Sequence, residues 1–147
     1  MIDLIVVGGG PVGLMTAIRA RLRGLDVTVV EQRSGTIDKA CGEGLMPDAL
    51  MQLQSVGVDP EGFDFFGIRY ISKGNAAQAR FRSGPGRGVR RLVLHAAMYE
   101  RAQELGVVMV TERVDKITQG EGWIEAGDLR ARYLVGADGL HSNVRRI

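Results

Sequence analysis

The residues of this chain best suited to do chemistry are the glycine-rich stretch Gly8-Gly9-Gly10-Pro11-Val12-Gly13 and the acid Glu31. The glycines fall as G-x-G-x-x-G directly after the apolar, β-branched run Met1–Val7. In that setting Gly8 permits a sharp turn out of a strand, Gly10 lets the backbone approach a pyrophosphate, and Gly13 lets the next helix pack closely on a sheet. Pro11 and Val12 open that helix, Pro11 where its missing N–H costs nothing. An anion would rest on the first N–H groups of the helix and the positive end of its dipole. Glu31 stands about 18 residues past Gly13, near the roughly 20 at which an acid accepts hydrogen bonds from a ribose 2′-OH. These groups predict a dinucleotide site, with Gln32 and Arg33 beside the sugar. The acid argues against a 2′-phosphorylated adenosine there, because two negative charges would meet.

Holding these groups requires a strand, a helix and a second strand in parallel. The sequence supplies them as Met1–Val7, a helix from Pro11 to Arg23 and the strand Val27–Glu31. Val12, Met15, Thr16, Ile18 and Leu22 are expected to form the helix's apolar face, and Gly24 to stop it. A polar connection, 32–39, leads to the shaped loop Ala40-Cys41-Gly42-Glu43-Gly44-Leu45-Met46-Pro47, the kind of segment that carries binding residues. A short helix follows from Pro47 to Val56 with Leu50, Leu53 and Val56 on one side. From Phe65 the apolar period changes to two, predicting a β-hairpin over 65–82 with its turn at Gly74-Asn75. Gly84–Gly88 reads as a loop. A helix over Leu92–Leu105 turns Leu94, Ala97, Met98, Ala102 and Leu105 inward and leaves His95 partly exposed. Val107–Val110 reads as a short buried strand. Val114–Thr118, Trp123–Ala126 and Leu129–Val135 then form an antiparallel meander. The last strand runs into Ala137-Asp138-Gly139, with Ser142 placed to cap a new helix and His141 to organise the loop before it.

Composition narrows the classes. A length of 147 residues, 45% of them hydrophobic and 24% charged, suits one globular domain with a real core. The net charge of +2 comes with only 5% aromatic residues, which does not make a nucleic-acid footprint. Cys41 is the single cysteine, so no internal disulfide forms and a reducing, cytoplasmic setting is expected. No basic leader precedes the first strand and no apolar run approaches the roughly 20 residues of a membrane-spanning helix. No metal site is expected.

The pattern resembles the amino-terminal part of the FAD-dependent oxidoreductases of the p-hydroxybenzoate hydroxylase and geranylgeranyl reductase superfamily. Besides the opening unit, Arg91-Leu-Val-Leu94 is similar to that family's R-x-x-L element, and Leu134-Val-Gly-Ala-Asp-Gly-Leu-His-Ser-Asn-Val-Arg145 to its DG motif. The resemblance implies an α/β, Rossmann-like FAD-binding fold with a parallel sheet, a β-meander crossover and a β-hairpin insertion. It implies that Arg91 approaches the flavin and its ribityl chain, that Asp138 and Gly139 meet the ribityl side, and that the Val114 backbone pairs with the adenine edge. Cys41 and Gly42 fall in a loop resembling the reductase branch more than the aromatic hydroxylases, which tend to carry an arginine there. Cys41 either faces the flavin or fills a tight turn, and Glu43 reads as a solvated loop acid before a general acid. The implied activity is FAD reduction by NAD(P)H, followed by hydroxylation or reduction of a small apolar or aromatic substrate. Residues 1–147 would be the FAD-binding domain, with 65–82 beginning a substrate layer. Family members run further, so a missing carboxyl-terminal segment or partner chain is expected, and the piece alone would be an inactive or incomplete module. A nicotinamide-binding sensor would need only the first motif.

Overall fold

The computed structural model describes residues 1–39 and 41–146. Ala40, in the shaped loop, and Ile147, where the last helix was expected to be cut off, lie outside the described residues. The chain opens with β1 (Ile2–Val7), α1 (Pro11–Arg21), β2 (Val27–Glu31), β3 (Gly44–Leu45) and α2 (Pro47–Gln54). It continues through β4 (Phe63–Phe65), β5 (Gly67–Ser72), β6 (Asn75–Arg80), β7 (Gly86–Gly88) and α3 (Arg91–Glu104). β8 (Val108–Thr111), β9 (Ile117–Gly120), β10 (Trp123–Ala126), β11 (Leu129–Gly136) and a 3-10 turn at Val144–Arg146 complete it. The chain divides into two compact units, Met1–Ile37 with Met98–Ile147 and Asp38–Ala97, and α3 runs across the division.

The first unit is built on a six-stranded sheet in the order β8-β2-β1-β11-β10-β9. β1, β2, β8 and β11 run parallel, while β9 and β10 return antiparallel as the expected meander. Continuous apolar strands suit a sheet covered on both faces, and Leu4, Ile5, Val6 and Val7 of β1 are all buried. One face holds Ile5, Val7, Val30, Val114, Ala126 and Ala131 as a core, with Ile117, Ile124, Leu134 and Val144 packed on it. α1 lies on β1 and β2. Its fully buried Leu14 and Ile18 each contribute about 1.5–3 kcal/mol of transfer free energy.

Several expectations are corrected. α1 stops at Arg21, not Arg23, and buries Gly13, Leu14, Ala17, Ile18 and Ala20. Val12 and Leu22 are 69% and 48% exposed, because close approach to the sheet selects the small residues of the helix. Gly24 does take the left-handed conformation, at φ 81°. β8 is the sheet's edge rather than a buried strand, and Val108 is 52% exposed. Val114 lies outside β9, in irregular backbone, with its side chain 7% exposed. His95 is 1% exposed rather than partly exposed, since it falls on the inward stripe of α3 with Leu94, Met98 and Ala102.

The second unit holds two small sheets, β3-β7-β4 and the hairpin β5-β6. Gly84–Gly88 is not a plain loop, because its second half is β7, the middle strand of the first of these sheets. A side chain on Gly86 would press on the Phe65 ring and the Leu45 carbonyl, so the glycines that suggested a loop permit close strand pairing. α2 ends at Gln54 rather than at Val56, and Leu50, Leu53 and, just beyond the helix, Val56 are buried as expected. The hairpin turns at Lys73-Gly74, both at positive φ (47° and 82°), one residue earlier than expected. Two positive-φ residues match the primed turns that suit strand twist.

After β11 the chain is turned by Asp138. Its Oδ1 accepts from the Ser142 hydroxyl at 2.6 Å, and its Oδ2 from the Asn143 and Val144 N–H groups at 2.7 and 3.2 Å. Ser142 Oγ in turn accepts from the Arg145 N–H at 3.0 Å, the capping expected of it. Burial pushes the Asp138 carboxyl up, yet the Ser142 hydroxyl and the Val144, Asp138 and Asn143 N–H groups outweigh it and hold the carboxyl below its ordinary 3.8. A depressed folded value means that stability from this carboxylate is present above the ordinary value and lost as pH falls through the folded one. Asp138→Asn should therefore lower stability at pH 7 by on the order of 1 kcal/mol, and the gap to wild type should be smaller at a pH well below the ordinary 3.8. Urea unfolding at both pH values checks this, and an equal gap at both would remove the carboxylate as the cause.

Candidate dinucleotide site

In the first unit, the carboxyl ends of β1, β2 and β11 meet. The Gly8 N–H donates to the Val30 carbonyl at 2.8 Å, and the Ala137 N–H to the Val7 carbonyl at 2.7 Å. Gly8 sits at φ 108°, and a Cβ there would collide with the Ala137 carbonyl and come within 2.8 Å of the Asp138 nitrogen. The expected glycine turn and DG loop are thus one piece of structure. Gly13 is equally constrained, since a Cβ on it would overlap the Gly8 carbonyl oxygen.

Gly10 differs from both. It is the N-cap of α1 at φ −72° and ψ 179°, extended backbone that any residue adopts, and nothing lies within 4 Å of where its Cβ would stand. The chain itself has no need of a glycine there, so the open space is a cradle for something approaching the backbone. α1 has Pro11 in its first turn, no side-chain cap and no acid in that turn. Its first N–H groups, which have no partner within the helix, and its dipole are thus left to an outside anion.

Glu31 reaches into the same turn. Its Oε2 accepts from the Gly9 N–H at 2.8 Å and its Oε1 from the Arg33 N–H at 3.1 Å. Gln32 and Arg33 are exposed beside it. This second use of Glu31, as a brace on the glycine turn, was not legible from spacing alone.

In the second unit, Arg91 is 6% exposed and its Nη1 has no hydrogen-bond partner among the described residues. A buried guanidinium nitrogen left unpaired is costly and fits a group that brings acceptors. The Arg91 N–H donates to Glu43 Oε1 at 3.0 Å. Glu43 therefore caps the start of α3 instead of standing free in solvent, and it does so at φ 51°. Cys41 is an exposed thiol whose Sγ accepts from the Glu43 N–H at 3.4 Å, and Gly42 between them is exposed. Glu43 was the residue that sequence reasoning undervalued, and its distance from Arg91 along the chain hid the contact.

Val114 contributes to the core of the first unit and Gly139, at φ 86°, to the bend after Asp138. His141 is exposed. Among the described residues no helix is long and apolar enough to cross a membrane. None of their His, Cys, Asp and Glu side chains gather in the groups of three or more that could hold a metal ion. Within the first unit, the open cradle at Gly10, the uncapped helix start and the acid at the end of β2 fit the pyrophosphate and ribose of FAD.

Comparison with known proteins agrees. Residues 1–64 match the family described as FAD binding domain. Over 98% of its length the chain is 30% identical to menaquinone reductase of Mycobacterium tuberculosis, of which it spans 39%. It is 31% identical over its whole length to rifampicin monooxygenase of Rhodococcus hoagii, of which it spans 33%. The structure of p-nitrophenol 4-monooxygenase from Pseudomonas putida shares the fold, at a TM-score of 0.86 and 23% identity over 99% of this chain and 42% of that one. By their glycine turn and these likenesses, residues 1–64 match an FAD binding domain, and the chain as a whole is similar to part of a reductase and part of a monooxygenase.

Proposed function

We propose that this chain binds FAD for an enzyme that draws hydride from NAD(P)H and hydroxylates or reduces a small apolar or aromatic substrate. The observation that carries the reading is Gly10, which is open where the chain needs no glycine. Gly8, Gly10, Pro11, Val12 and Gly13 receive the pyrophosphate on bare backbone and the α1 dipole. Glu31, with Gln32 and Arg33, holds the adenosine ribose, and the Val114 backbone meets the adenine edge. Asp138 and Gly139 take the ribityl hydroxyls, Arg91 the ribityl and flavin side, and Cys41 and Gly42 the ring. Bound FAD would supply the redox chemistry, accepting hydride and passing electrons to oxygen or to a carbon–carbon double bond. The protein's share is orientation and electrostatics.

Residues 1–147 act as the FAD-binding domain, and the hairpin over 65–82 begins the substrate layer. Because the chain spans 39% and 33% of two curated relatives, turnover requires a further segment or partner chain. The relatives' names cover both quinone reduction and oxygenation, and the Cys41-Gly42 loop favours the reductase side. A single cysteine, exposed and unbridged, supports a cytoplasmic setting.

Gly10→Ala should keep the wild-type unfolding midpoint and lose FAD, read as yellow protein after gel filtration. Gly13→Ala should destabilise the fold itself by about 1–3 kcal/mol or more. Full FAD retention in Gly10→Ala would sink the cradle. Glu31→Ala should weaken FAD by about tenfold or more, from the loss of charge-assisted hydrogen bonds, and unchanged affinity would displace the ribose from this acid. The purified 147-residue chain should bind FAD weakly and show no steady NADPH oxidation, and sustained oxidation would refute the need for more sequence.

A further inference from the structure

Glu43 holds a backbone conformation that either of its neighbours would adopt at lower cost. Its φ is 51°, and among the described residues it shares positive φ without being glycine only with Lys73, which the hairpin turn explains. Side chains are strained in that region, whereas glycine is not. Gly42 and Gly44 flank Glu43, yet the positive φ falls on the glutamate. Strain of this kind persists where surrounding contacts hold it, and it points to a side chain in use.

Three bonds hold Glu43 there. Its N–H donates to Cys41 Sγ at 3.4 Å, its carbonyl accepts from the Val89 N–H at 2.7 Å, and its Oε1 accepts from the Arg91 N–H at 3.0 Å. The β3-β7 pairing arranges this, because Gly44 lies opposite Gly88 and β7 leads through Val89 and Arg90 into α3. α3 has no acid in its first turn, and the residue before it, Arg90, has a side chain that only donates. Glu43 thus supplies from 48 residues away the acceptor that a helix start ordinarily takes from an adjacent Ser, Thr, Asp or Asn. The bond goes to the main chain, and the Arg91 Nη1 stays buried without a partner among the described residues. A helical side chain leaves along a direction set by the backbone of its own turn, so fixing the first turn fixes where that nitrogen points.

We propose that Glu43 is a positioning residue for cofactor binding: its carboxylate holds the first turn of α3 so that Arg91 keeps one buried guanidinium nitrogen open to an acceptor oxygen on the flavin half of FAD. The inference rests on the FAD reading above. Glu43 itself touches no ligand and acts through Arg91. The unpaired donor gains a partner when the ligand arrives, and a turn already ordered has less freedom to lose.

The test uses the 147-residue chain, with hydrogen exchange of the Arg91 amide read by NMR and FAD affinity by fluorescence titration. Glu43→Gln keeps an oxygen at the same reach and should keep the Arg91 amide protected, with FAD affinity within about threefold of wild type. Glu43→Asn tolerates positive φ but is one carbon too short, and should leave the amide unprotected and weaken FAD about tenfold. Glu43→Gly, free of backbone strain, should match it. Arg91→Gln should also weaken FAD, and adding Glu43→Asn to it should cost nothing more, because residues that act through one contact are not additive. Three results would each overturn the positioning role: Glu43→Gln as weak as Glu43→Asn, full FAD affinity in Glu43→Asn or Glu43→Gly, or additive losses in the double variant. Absence of FAD binding by the wild-type chain would instead sink the FAD reading, and this inference with it.

Discussion

Three strand ends and one helix can meet at Gly8 only because no side chain stands between them. The backbone of Gly8 lies against Ala137 and Asp138 on one side, and Gly13 of α1 lies against the Gly8 carbonyl on the other. Backbone hydrogen bonds from Gly8 to Val30 and from Ala137 to Val7 lock β1 between β2 and β11 at that level. A methyl group at either glycine would meet backbone rather than a yielding side chain, so relief would require a shift of the helix or of the DG loop. The placement of Asp138 beside the turn follows from this contact, as does the aim of the α1 dipole.

The two acids at the crevice carry structural duties through the lone pairs they offer. An ionised carboxylate offers about four acceptor sites. Glu31 spends two on the Gly9 and Arg33 N–H groups, and Asp138 spends three on Ser142, Asn143 and Val144. Glu31 keeps capacity for a further donor while its orientation is already fixed by the protein. Preorganisation of this kind reduces the entropy cost of binding. The acids also sit away from the first turn of α1, which contains none, so they do not compete with an anion for its N–H groups.

The sequence was most readable where local chemistry and fold agree. The opening strand, turn and helix start, the second strand ending on Glu31, the hairpin and the meander all followed from period and glycine spacing. It failed where contacts are remote or where small residues do the packing. α1 meets the sheet through Gly13, Ala17 and Ala20 beside Leu14 and Ile18, and hydropathy gives small residues little weight against the exposed Val12 and Leu22. β7 is glycine-rich and pairs with β3 and β4, both remote in sequence, so composition suggested a loop where long-range pairing made a strand. His95 lay on a helical stripe that the spacing did expose, but its polar type argued for the wrong side. At the site, the glycine turn was legible from motif spacing and Asp138 was singled out only by the resemblance, whereas the Glu31 brace on Gly9 and the Glu43 cap on Arg91 are tertiary contacts with no local signature.

The two units differ in what holds them, and that difference bears on function. The first buries apolar strands on both faces of a wide sheet, so its crevice stands on rigid backbone, as a site for a fixed cofactor requires. The hairpin of the second unit is held by turn chemistry and cross-strand pairing, since every residue of β6 is exposed. Gly67 allows close approach to Ala79, and Lys73-Gly74 sets the turn. A two-stranded ribbon of this kind is marginal alone, yet its side chains are nearly free of packing duty. Substitutions there come at little cost to the fold. A stiff crevice on rigid strands and a lightly constrained ribbon thus stand in one chain.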